Sequence, residues 1–201
     1  MRKALTKAAV ALLLVAVAAA WVLEAMAGRY DEPSWESVGS AEGYELRRYA
    51  PYLVAETDVE GGFRGAGNRA FRILAGYIFG GNEPGTEMAM TVPVLSTVEA
   101  DDDAWTYQFV MEPGYTLDTL PAPRDGRVRL RQVPERLVAV HGFSGTWSEG
   151  KLRRLVQDLV TDLREDGLEP VSEPMLARYN GPFTPWFMRR NEILVEVARR
   201  G

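Results

Sequence analysis

The chain has 201 residues, 46% hydrophobic and 25% charged, enough apolar material for one ordinary globular core and too little length for two comfortable domains. Its formal net charge of -5 excludes a basic footprint, so nucleic acid is not an expected partner. There is no cysteine and one histidine, His141, which excludes disulfides, thiolate chemistry and multi-histidine metal centres.

Arg2, Lys3 and Lys7 precede an unbroken apolar run from Ala8 to Leu23, and Ala25-Met26-Ala27 follows Glu24. That is the outline of an export signal. The run of 16 residues would reach about 24 Å as a helix against a hydrocarbon layer of about 30 Å, short for a span. Flanking residues could complete one. Two readings therefore stay open for residues 1–27: a signal peptide cleaved near Ala27, or an anchor that meets the membrane through residues 5–23. Both leave the basic end in the cytoplasm and everything from about residue 28 outside it. The expected location is the cell membrane, as a single-pass protein with an external C-terminal domain, or the exported state. Residues 28–43 are rich in turn formers and acids and read as a linker or loosely docked arm, with the folded domain over 44–198.

From Tyr44 the chain compares with itself at an offset of about 84: YELRRYAPYLVAETDVEGGF (44–63) against VRLRQVPERLVAVHGFSGTW (128–147). Two short strands, a bend with proline and a glycine turn occur twice. A helical pattern follows each copy. Leu152, Leu155, Val156, Leu159, Val160 and Leu163 fall on one face, opened by Thr146-x-x-Glu149 as a capping box and closed by Gly167. In the first half a helix is expected over 65–79, with Ala66, Ala70, Phe71, Leu74, Tyr77 and Ile78 on one face and Gly80-Gly81 as the stop. Further strands are expected at 88–95, 105–111 and 186–197. The fold class is α+β: two pseudo-symmetric β-β-α-β-β halves with two flanking helices and a largely antiparallel sheet, preceded by an N-terminal hydrophobic helix.

Three segments carry a family resemblance: YELRRYAPYLVAET (44–57), MAMTVPV (88–94) and YNGPFTPWFMRRNEILVEV (179–197). In this order and spacing they resemble the SOUL family of haem-binding proteins over about residues 42–198. The resemblance implies a distorted antiparallel β-barrel and an apolar pocket for haem or a related tetrapyrrole, used for sequestration, transport or buffering. The architecture is also similar to effector-binding domains of bacterial transcription regulators, which hold small hydrophobic ligands. A module for another hydrophobic ligand, or a haem-dependent enzyme, are the rival readings. No nucleophile elbow, phosphate loop or paired-carboxylate signature supports catalysis.

Strand parity then selects candidate site residues. Glu56, Asp58 and Glu60 are expected in water, which sends Leu53, Ala55, Thr57 and Val59 inward; by the repeat, Leu137, Ala139, His141 and Phe143 point inward too. His141 is thus the candidate iron ligand, with a hydrogen-bonded core histidine as the plain alternative. Family members of animal origin are often discussed with an axial histidine where this chain has Arg48, which cannot ligate iron but could reach a haem carboxylate. Phe71, Leu74, Tyr77 and Ile78 on the first helix are a candidate pocket wall. Met88 and Met90 share a strand face with Val92 and Val94, either as core filler or as an adaptable wall beside an opening at Pro93. Trp186 is a candidate lid. Arg189 and Asn191, counted inward from Ile193, Val195 and Val197, are expected to meet a buried carboxylate such as Glu87 or a ligand.

Overall fold

The computed structural model describes residues 30–99 and 104–199, so the N-terminal apolar run lies outside the described residues. Within them no helix is long and apolar enough to cross a membrane. In chain order the elements are β1 (Trp35–Ala41), β2 (Tyr44–Tyr49), β3 (Tyr52–Glu60), α1 (Phe63–Ile78), β4 (Asn82–Glu83), β5 (Val94–Thr97), β6 (Ala104–Val110) and β7 (Ala122–Pro123), then β8 (Arg129–Val133), β9 (Arg136–Ser144), α2 (Glu149–Glu165), β10 (Leu168–Pro170), β11 (Met175–Arg178), a 3-10 turn (Trp186–Met188) and β12 (Arg190–Arg199). The arm expected at 28–43 is docked as an edge strand, β1, antiparallel to β2.

One antiparallel sheet runs in the order β1-β2-β9-β12-β11-β5-β6-β3-β8, with β10 added on β12. The expected distorted barrel is a half-barrel: the sheet curls, and β1 and β8 end the order and do not pair with each other. Charges guard both edges, Glu36 with Arg48 on one and Arg129 and Arg131 with Glu56 on the other, which discourages further strand addition. In register, Arg48 of β2 faces Leu137 of β9, and Gln132 of β8 faces Leu53 of β3.

Both faces of the sheet are buried, for different reasons. On one side Ala66, Ala70, Leu74 and Ile78 of α1 and Leu152, Leu159 and Leu163 of α2 pack on Leu53, Ala55, Phe109, Ala139, Leu176 and Ile193. These are the i, i+4, i+8 stripes that the sequence periodicity marks. On the other, Tyr49, Leu95, Val110, Val138, Val140, Ala177, Tyr179 and Leu194 form a second core inside the curl. This corrects the simple parity reading: Asp58 and Glu60 are in water, but Glu56 is buried under Gln108, Arg129 and Arg131.

Helix ends differ in detail from the sequence reading. Ser148, not Thr146, caps α2, its Oγ accepting the Lys151 N–H at 3.3 Å. Gly80 (φ 94°) takes the left-handed conformation that stops α1, and a Cβ on Gly81 would lie 2.5 Å from the Gly76 carbonyl oxygen. Residues 88–93 are not a strand, because Pro93 offers no N–H and Val92 donates its own to Asp31 O. The side chains divide there: Met88, Met90 and Val94 go to the helix-side core and Val92 to the other. Pro93 is buried and frames no opening. The strand expected from 186 begins at Arg190, after the 3-10 turn.

Asn82 fixes the turn after α1. Fully buried, it donates to Tyr77 O (2.9 Å) and Thr86 O (2.8 Å) and accepts from the Gly85 and Thr86 amides. Asn82→Ala removes the partner of four backbone groups, of which the Tyr77 carbonyl is buried, and equilibrium urea unfolding is expected to show a loss of about 2 kcal/mol, with m unchanged.

Candidate ligand groove

The two helices stand on opposite halves of the helix-bearing face, over a floor in which Ser96, Leu176 and Ile193 are buried. β5 and β11 lie side by side at the centre of the strand order, and α1 and α2 follow β3 and β9, which flank it on either side. Gly67 lets α1 settle close to β6, since a Cβ there would meet the Tyr107 hydroxyl at 3.2 Å. Phe71, next on that flank, is 47% exposed and sets its ring edge-on to buried Phe109 at 5.4 Å. On the opposite bank Trp147 and Phe143 pack against the same core, and beyond Gly145 stands Trp186, whose ring would touch a Cβ at Gly145 at 3.7 Å.

Arg178 lies between these banks. Its guanidinium carbon is 5.7 Å from the Tyr107 ring centroid and 5.6 Å from that of Trp147. Its Nε is buried without a hydrogen-bond partner, and no carboxylate pairs with it among the described residues. Burial lowers its pKa below the ordinary arginine value. A guanidinium held by two aromatic faces, with an unmet donor, is a receptor for an anionic group. Together with the exposed rings of Phe71 and Trp186, it makes a surface suited to a flat apolar molecule that carries carboxylates.

Two concave cavities are chemically poorer. The larger, about 1550 Å³, lies on the other flank of α1 along Arg69, Ile73, Gly76 and Tyr77. Asp58, Glu60, Asp125 and Glu149 line it too; Arg127 is closed on Asp125 at 2.6 Å and Arg69 on the Glu60 carbonyl, so it is a polar cleft open to water. The smaller, about 340 Å³, carries Asp31, Glu32 and Glu112 and would repel an anion.

Residues 30–196 match the SOUL heme-binding protein family. The chain belongs to the SOUL family. Heme-binding protein 2 of Mus musculus is 30% identical over 182 residues, covering 82% of this chain and 88% of that protein. Heme-binding protein 2 of Homo sapiens is 30% identical over 188 residues, covering 84% and 91%. Among solved structures the EcmrR C-terminal domain superposes with a TM-score of 0.59 at 11% identity, over 82% of this chain and 98% of that one. A hydrolase from Listeria innocua gives 0.55 at 12%, over 80% and 94%. At such identities the likeness is one of fold alone.

In this SOUL chain the expected site residues separate into groups. Phe71 and Trp186 border the groove, and Met90, partly buried, packs against the core behind it. Leu74, Ile78 and Met88 are core. Tyr77 turns the other way, its hydroxyl donating to Pro121 O at 2.8 Å beside the larger cavity. Arg48 does not reach inward: it is exposed and pairs with Glu36 at 3.0 Å. His141 shares the helix-bearing outer face with Ala139 and Phe143 and does not point inside the curl, and its Nδ1 lies 2.6 Å from Gly43 O in the β1–β2 turn; no cluster of three or more metal-ligating side chains exists among the described residues. Arg189 meets carbonyls, not a carboxylate, donating to Thr184 O (2.9 Å) and Pro182 O (3.0 Å), while Asn191 donates to Gly145 O and Glu87 stays exposed.

The buried carboxylate of this region is Glu192. It accepts from Arg47 (3.2 and 3.1 Å), Arg190 (3.2 and 3.1 Å) and the Tyr179 hydroxyl (2.6 Å), and Arg190 also covers the Tyr179 ring at 3.6 Å. Sequence reasoning missed Arg178 and this network; the signal for the network was two arginine pairs, 47–48 and 189–190, each two residues from a glutamate.

Burial, reinforced by Glu192, raises the Tyr179 pKa above its ordinary 10.0, and burial raises Tyr77 to about 12. A folded-state pKa above the unfolded one means stability is constant below about pH 10, where the unfolded tyrosines keep their protons, and falls as pH climbs toward the folded values. Chemical denaturation between pH 8 and 11 is expected to show that fall, with a shallower slope in Tyr77→Phe.

Proposed function

We propose that this chain binds haem or a related tetrapyrrole in the groove between α1 and α2, for sequestration, transport or buffering outside the cytoplasm. The observation that carries the reading is Arg178, a half-buried cation between two aromatic faces whose buried Nε has no hydrogen-bond partner. Arg178 supplies a partner for a ligand carboxylate, and Phe71, Trp147 and Trp186 supply enclosure for the macrocycle. Family membership and the two heme-binding relatives support the ligand class. In this reading enclosure provides the affinity, and His141, whose Nδ1 is held by Gly43 O, has only Nε2 left to offer a metal.

We infer further that the two halves are related by a pseudo-twofold axis. Its support is the strand order, in which β2, β9, β12 and β11 are mirrored by β8, β3, β6 and β5, and the register, since adding the offset of 84 to Arg48 and subtracting it from Leu137 gives Gln132 and Leu53, the pair observed. The N-terminal run is read as a membrane tether through residues 5–23, or a signal removed near Ala27.

Haemin titration followed by the Soret band tests the ligand and the site together. Arg178→Gln is expected to weaken haemin binding about tenfold, the worth of one charge-assisted hydrogen bond, and Phe71→Ala also weakens it. Arg48→Gln and His141→Ala should leave affinity and band position unchanged. Full haemin affinity in Arg178→Gln would move the site elsewhere, and a displaced Soret band in His141→Ala would put the imidazole on the iron.

A further inference from the structure

The segment Pro182–Met188 holds its apolar side chains in water. Phe183 is 98% exposed, and Trp186, Phe187 and Met188 are each more than half exposed. The backbone beneath them is braced. Arg189 donates to the Pro182 and Thr184 carbonyls, the Met188 amide to Pro185 O at 2.9 Å, and the Arg190 amide to Asn180 Oδ1 at 2.7 Å. Trp186 and Phe187 stack edge-on at 5.7 Å. The tip is therefore built to present its rings outward, at the desolvation disadvantage that isolated soluble proteins avoid.

Two cations stand beside it. Arg189 is engaged only with carbonyls, and Lys151 donates to the Ser144 and Thr146 carbonyls that bracket Gly145, against which Trp186 rests. Neither pairs with a carboxylate among the described residues. The chain also joins the domain here. The Asp31 carbonyl accepts the Val92 amide, and Glu32 pairs with Arg190, the residue that starts β12 directly after the tip. Residues 28–31, which connect Ala27 to this point, span at most about 14 Å when extended.

We propose that residues 182–188 form a membrane-contacting tip that seats this end of the domain on a phospholipid bilayer. Phe183, Phe187 and Met188 enter the interface, Trp186 lies at headgroup depth, and Arg189 and Lys151 meet anionic phosphates. The geometry rests on the tether reading of residues 5–23, which brings the same end of the domain to the bilayer. Trp186 belongs both to the tip and to the rim of the groove, so a ligand dissolved in the bilayer meets the groove without crossing bulk water.

The absence of cysteine from the sequence makes the test direct. Full-length Phe183→Cys and Val171→Cys are each labelled with an environment-sensitive fluorophore and mixed with phosphatidylcholine–phosphatidylglycerol vesicles that contain shallow spin-labelled lipid. Val171 is also exposed, but its amide bonds Glu196 O, some six strand residues and about 20 Å from the tip along β12. The expected result is co-flotation of both proteins, lipid quenching at 183 and none at 171, with Phe187→Ser reducing the quenching at 183. Co-flotation with an unquenched, iodide-accessible label at 183 overturns the tip while leaving the tether intact. Failure to float overturns both. A blue-shifted label at 183 without lipid quenching means that protein covers the tip, and also overturns the proposal.

Discussion

A carboxylate that cannot be neutralised by water organises one whole side of this molecule. Glu192 is 3% exposed, and an isolated ion at such a place would be costly unless surrounded by donors. Arg47 from β2, Arg190 from β12 and Tyr179 beyond β11 converge on it, and each brings its own strand into place. Arg47 in turn holds Glu45 at 2.7 Å and lies under the Trp35 ring at 4.1 Å, while Arg190 reaches Glu32. The N-terminal arm, the sheet edge and the foot of the 182–188 segment are thereby fixed by one charge. Removing either cation leaves Glu192 with the other arginine and Tyr179 alone to balance it, so the set behaves as a unit and not as a sum of pairs.

The curl of the sheet decides where ligand chemistry is available. The inner face of the half-barrel is filled by Val138, Val140, Leu194 and their neighbours and closed by the Glu192 cluster. The outer face is covered by two helices that need not meet, since each packs on its own set of strands. Between them, over β5 and β11, lies Arg178, which among the described residues has rings beside it but no acid. The larger of the two cavities lies elsewhere and is the more acidic surface, lined by Asp58, Glu60, Asp125 and Glu149.

Much of this was legible in the sequence. The 3.6-residue periodicity of 152–163 and of 66–78 places both helices, and the 84-residue offset maps β3 (52–60) onto β9 (136–144) residue for residue. What misled was the assumption that one face of each strand is wet. Glu56 reads as a solvent marker, yet it is buried, as Glu192 is, inside a curl that only long-range pairing creates. Parity also failed where the backbone leaves the strand, at 88–93 and 186–188, so the inward count from Ile193 put Arg189 on a face that does not exist there. Arg178 was invisible because nothing in its neighbourhood of sequence separates a half-buried, ring-flanked arginine from an ordinary one.

The edge strand β1 carries a consequence for what counts as the domain. All seven of its residues are exposed, and by burial alone it looks dispensable. Yet Trp35 shields Arg47 and, just upstream, Glu32 neutralises Arg190, so the arm completes the electrostatic closure of a core it does not enter. Trimming the chain to Tyr44 would therefore strip the last stabilising layer from the Glu192 cluster, although it would remove no buried residue of β1.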